Sequence, residues 1–104
     1  MKFENIEEAK KELVEAIIIQ HKALLDRDDK TQEKNIKKAF KIDKYIKENF
    51  DLREMKDLLG HQDLGVRSWI ANMLLPLYED ICLEILDQIY KKNVRFTVLH
   101  EQLF

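Results

Sequence analysis

One cysteine, one proline and two glycines are all that 104 residues provide of those types. The lone thiol, Cys82, excludes an internal disulfide framework, and no Cys/His pair stands at zinc-ligand spacing. So few turn residues leave a strand-rich fold without its hairpins, so the scarcity of Gly and Pro points to helices. Long apolar runs are also missing. The longest, at residues 16–19, is far below the roughly 20 residues that cross a bilayer. No basic n-region followed by an apolar h-region and a small-residue cleavage site opens the sequence. The expectation is a cytoplasmic protein with no membrane partner. Charge of one sign is lacking too, since 18 Lys and Arg meet 20 Asp and Glu for a net charge of −2, which disfavours a dedicated nucleic-acid domain. No catalytic motif is found, so neither an enzyme nor a cofactor is expected. What the chain does have is 45% hydrophobic and 37% charged residues at the length of one domain. Residues 1–104 are therefore read as a single all-α domain.

Periodicity divides that domain into helices. Ile6, Leu13, Val14, Ile17, Ile18, Leu24 and Leu25 recur at three- and four-residue steps and predict a helix over 5–28. The run Asp26-Arg27-Asp28-Asp29 breaks the pattern and offers carboxylate caps for a second helix, joined so tightly that the two must be antiparallel. Ile36, Ala39, Phe40, Ile46 and Phe50 form its expected buried side. Asp51 and Glu54 have capping-box spacing for a short third helix that stops at Gly60. Asp63 is positioned to cap a fourth, whose Val66, Ile70, Met73 and Leu74 share a face until Pro76. Proline suits the first turn of a fifth helix, which would turn Leu77, Ile81, Ile85 and Ile89 inward with Cys82 and Leu86 flanking. Asn93 would cap a last short helix ending near Leu103. The sum is about six helices in antiparallel hairpins.

The stretch Leu58-Leu59-Gly60-His61-Gln62-Asp63-Leu64-Gly65-Val66-Arg67, followed by Ile70-Ala71 and Met73-Leu74, resembles a HEAT-type helical repeat over roughly residues 52–90. The whole chain is similar to a family of small bacterial proteins of unknown function with a HEAT-like fold. The resemblance implies a fragment of alpha-alpha solenoid and no transferable activity. It also implies structural roles at the turn, with Asp63 capping the second helix of the repeat and Arg67 anchoring the turn through charge-assisted hydrogen bonds. Trp69 and Asn72 depart from the usual residues there.

Five features could carry function. His21 falls within the apolar stripe of the first helix and Asp43 within that of the second, so both are read as buried polar groups, paired with each other or, for Asp43, turned toward Lys47. Cys82 reads as a small core hydrophobe. His61 and His100 read as exposed, without a third ligand for a metal. Lys30, Lys34, Lys37, Lys41 and Lys44, spaced four, three, four and three, form a basic stripe that Glu33 and Glu48 interrupt. Trp69 lies at an arc boundary where it could anchor a partner, and Ile19, Phe96, Leu103 and Phe104 suggest apolar surface left for a homodimer or another protein. The function expected is a non-enzymatic helical protein-interaction module, of an immunity or regulatory type, with Trp69, Lys34, Lys37 and Lys41 as its binding candidates. The alternative is a nucleic-acid binder using the lysine stripe.

Overall fold

A computed structural model describes residues 2–92, and the expected last helix, with Phe96, His100, Leu103 and Phe104, lies outside them. The described residues hold four α-helices, α1 (Ile6–Leu25), α2 (Asp29–Asn49), α3 (Leu64–Leu74) and α4 (Glu79–Lys92), and a 3₁₀ helix at Leu52–Gly60 between α2 and α3. No strand occurs among them.

Each boundary has a local cause. Asn5 caps α1 by accepting from the Glu8 amide at 2.9 Å, and Glu7 and Glu8 place negative charge at the positive end of the helix dipole. At the other end the Asp28 amide donates to the Ala23 carbonyl at 2.8 Å and the Arg27 amide to that of Leu24 at 3.3 Å. These two bonds form a Schellman motif, and they force Arg27 into the left-handed region at φ 59°. Asp28 then caps α2 through the Thr31 amide at 3.2 Å, which holds its carboxyl below the usual range. The reversal is so short that the helices return antiparallel. Lys38 accordingly faces Glu12, and the Tyr45 ring meets Phe3 edge-on with centroids 5.2 Å apart.

Leu13, Ala16 and Ile17 of α1 pack on Ala39, Ile42 and Ile46 of α2 to found the core. Met55 and Leu59 from the 3₁₀ helix close one side, and Val66, Ile70, Ala71 and Leu74 of α3 complete it. Asp51 caps the 3₁₀ helix, yet its side chain accepts from Arg53 rather than forming a reciprocal box with Glu54. The Arg53 guanidinium and amide together hold its carboxyl down. Gly60 ends that helix without a positive φ, so it is not the left-handed cap the sequence suggests.

Asp63 caps α3, its Oδ1 accepting from the Val66 amide at 2.9 Å. Gly65 follows where α3 crosses α1. A Cβ there would stand 3.0 Å from that same Asp63 oxygen and 3.7 Å from Ile17 Cγ2, so only glycine leaves the cap and the helix crossing undisturbed. Asp63→Ala is expected to cost about 1 kcal/mol of stability, read as a lowered urea midpoint. An unchanged midpoint would remove the cap from the turn's energetics.

Pro76 does not open α4. It lies in a turn where the Leu77 and Tyr78 amides both donate to the Leu74 carbonyl, and the helix begins at Glu79. Leu77 and Ile81 are consequently exposed, while Cys82 is fully buried and Ile85 and Leu86 are packed on the core. Apolar residues cover so much of this helix that two registers fit the 3.6-residue period, and the turn chooses between them.

Candidate functional site

The apolar stripe of α1 outruns the core. Leu24 and Leu25 are 47% and 71% exposed, and Phe40 on α2, expected inside, is 59% exposed. These side chains border a groove of about 1000 Å³. Trp69 and Met73 of α3 and Leu86 of α4 line it as well. Phe40 and Trp69 stack obliquely, with ring centroids 4.9 Å apart. Nothing among the described residues covers these apolar atoms, which explains why helical periodicity alone misplaces them in the core.

Asp43 is the polar centre of this surface. Its side chain is only 13% exposed, Oδ2 accepts from the Trp69 indole Nε1 at 3.0 Å, and Oδ1 pairs with Lys47 Nζ at 2.9 Å. Both oxygens are therefore taken. His21 lines the same groove but is solvent-exposed and is not a partner of Asp43. The buried His21–Asp43 pair is thus corrected: α1 turns His21 out beyond the core, and an indole from α3 takes its place. The indole does more than fill space, since the bond to Asp43 fixes its edge and leaves a face to the groove.

Arg67 also departs from expectation. Its Nε is buried with no hydrogen-bond partner among the described residues, so it does not anchor the turn. His61 does so instead, its Nδ1 accepting from the Asp63 amide at 3.0 Å.

Lys30, Lys34, Lys37, Lys41 and Lys44 are all exposed along α2. Lys37 pairs with Glu33 at 2.9 Å and Lys44 reaches Glu48 at 3.9 Å. Among the described residues, Lys30, Lys34 and Lys41 have no carboxylate within ion-pair distance.

Sequence reasoning missed Lys10. This lysine is 6% exposed, and its ammonium donates to Asp57 Oδ1 at 2.7 Å, to the Glu54 carbonyl at 3.1 Å and to Glu7 at 3.5 Å. Burial pulls its pKa down, but Asp57 and Glu7 outweigh that and leave it above the ordinary lysine value. The signal was present, because Lys10 lies one turn after Ile6 and one turn before Leu13 and Val14 on the buried stripe. Its neighbours bind α1 to the 3₁₀ helix.

Chemically, this arrangement offers apolar contact and a few fixed polar groups. Cys82 is enclosed in the core, where burial pushes its thiol pKa up, the opposite of nucleophile activation. Among the described residues no group of His, Cys, Asp and Glu could hold a metal ion, and no helix is long and apolar enough to cross a membrane. No family model, curated protein or solved structure matches the chain.

Proposed function

We propose that this chain is a non-enzymatic helical protein-interaction module and that the groove between α1, α2, α3 and α4 is where its partner binds. The observation that carries the reading is the exposed aromatic and aliphatic lining around an indole held in place by Asp43. Surfaces of this kind supply hot spots, because a pre-positioned aromatic loses little freedom on binding. The consecutive packing of α1 on α2, the 3₁₀ helix on α3, and α3 on α4 supports a HEAT-like, solenoid-type arrangement, a design that presents extended faces to other proteins. An immunity-type or regulatory role is consistent with a module that acts by covering a partner.

The test is affinity capture from the cells that express the protein, comparing wild type with Leu25→Asp/Phe40→Asp. Both side chains are already exposed, so the substitutions leave the core alone. Partners retained by wild type and lost by the variant are expected. An identical set in both samples would move the binding surface away from the groove.

The lysine row is not assigned to nucleic acid, since Glu33 and Glu48 neutralise two of its members and the chain is net acidic. Counterion release from three uncompensated lysines is a weak driving force at physiological salt. Fluorescence anisotropy with duplex and single-stranded oligonucleotides is expected to show no submicromolar binding. Salt-sensitive binding at that level, lost in Lys34→Glu/Lys41→Glu, would reverse the assignment.

A further inference from the structure

We infer that the occupant of the groove is an acidic amphipathic helix, apolar side down on Phe40 and Trp69, with its carboxylates against the lysines of α2. This rests on the reading of the groove as a protein-binding surface and adds the chemistry of the partner.

The argument is one of shape and then of charge. Helices line the groove, and the described residues offer no sheet edge to which an extended peptide could add, so the fitting occupant brings its own backbone hydrogen bonds satisfied. A helix does so, and it presents side chains at three- and four-residue steps to a cleft of this kind. About 1000 Å³ receives several such side chains while the partner's backbone stays above the rim.

The rim is electrostatically one-sided. Phe40 reaches the groove from α2, and Lys37 and Lys44, three residues before and four after it, stand on the adjoining face. Lys41 and Lys34 continue that face around the helix. Glu33 and Glu48 offset Lys37 and Lys44, while Lys34 and Lys41 remain without a carboxylate partner. On α4, by contrast, Asp87 and Lys91 pair with each other at 3.0 Å, and α1 contributes the apolar Leu24 and Leu25. Asp43 sits deeper, with both oxygens engaged by Trp69 and Lys47, so it presents little free negative charge to an acidic partner. A segment carrying an apolar stripe beside a row of Glu or Asp matches this layout. Nucleic acid matches it less well, because its phosphates would meet Glu33 and Glu48 and its sugars would not fill an aliphatic cleft.

The single tryptophan makes the test direct, since Trp69 is the only indole in the sequence. Two synthetic helical peptides of about 18 residues, five turns, share one leucine stripe and carry either Glu or Lys on its flank. Each is titrated into the full chain while Trp69 emission and the anisotropy of the labelled peptide are followed. The acidic peptide is expected to bind roughly ten-fold tighter than the basic one at low salt, with the gap closing as salt is added. Lys37→Glu/Lys41→Glu, confined to exposed side chains, is expected to abolish or invert that preference, and Phe40→Asp to weaken both peptides. Equal binding of the two peptides overturns the acidic partner and leaves the groove as a binding surface. If neither peptide binds or moves Trp69, both readings fall. A Trp69 signal that changes on dilution gives the groove to a second copy, and one that changes on Phe96→Asp/Leu103→Asp gives it to residues 93–104. Either result, or an oligonucleotide that competes more strongly than the acidic peptide, also overturns the inference.

Discussion

Ile42→Ala is expected to lower stability by about 3 kcal/mol, within the range for truncating a large buried aliphatic residue. Ile42 is fully buried at the centre of the α1–α2 contact, together with Leu13, Ile17 and Ile46. Its removal takes away apolar contact and leaves a cavity that two capped, antiparallel helices cannot readily close. A domain of this size typically has a total stability of about 5 to 15 kcal/mol, so the melting temperature should fall by on the order of 15 °C. The matched control is Phe40→Ala, one and a half helical positions around the same helix but 59% exposed, which should change stability far less while weakening groove binding. Similar losses from both substitutions would show that the groove is closed in solution.

The second large effect is expected at Lys10. Asp57→Ala removes its closest counter-ion, leaving an almost fully buried ammonium with the Glu54 carbonyl and the longer contact to Glu7. Losing a charge-assisted hydrogen bond in that setting should cost about 2 kcal/mol. Lys10→Met is expected to be nearly neutral, because an apolar side chain of similar length fills the space without a desolvation penalty. Combining the two should add little to Lys10→Met alone, and urea midpoints of the four proteins supply the cycle. Full additivity would show that the ion pair is not what Asp57 contributes.

The same lysine sets an alkaline limit. Its folded pKa is raised, so its contribution is complete below the unfolded lysine value and is lost as pH rises through the folded one. Asp28 and Asp51 act at the other extreme. Their folded values are lowered, so their contributions hold above the ordinary carboxylate range and fade as pH falls through the folded values. Stability should therefore plateau near neutrality, and Lys10→Met should remove the lysine's share of the alkaline decline.

The all-helical architecture was legible because the caps precede their apolar periods. Asp28, Asp51 and Asp63 each announce a helix start that the structure places within a residue or two. The groove was not legible, and the reason is physical. A stripe at 3.6-residue spacing tells which residues share a face, but not how far along the helix a neighbour extends to cover it. Leu24, Leu25 and Phe40 carry the same pattern as Ile17 and Ile42 and differ only in having no described element above them. His21 and Asp43 were drawn together for the same reason, since each lies on an apolar arc while the pairing across helices is decided by Trp69, 26 residues beyond Asp43. Lys10 could have been found by asking which charged side chain interrupts the buried stripe. Arg67 shows the reverse limit, where a familiar turn pattern suggested hydrogen bonds that His61 and Asp63 make instead.

Cys82 is the one side chain of α4 that is completely enclosed, with Ile85 and Leu86 only partly so. The last described helix is thus held by a narrow strip of contact, and the sole thiol of the chain sits within that strip. A thiol reagent can reach the sulfur only after α4 lifts away, and its modification rate under native conditions becomes a clock for that event. A labelling rate that follows global stability across the Ile42→Ala and Asp57→Ala variants would mean that α4 leaves only when everything unfolds. A fast rate insensitive to both would mean that the wall of the groove built by α4 detaches on its own, so that a partner meets a surface already able to widen.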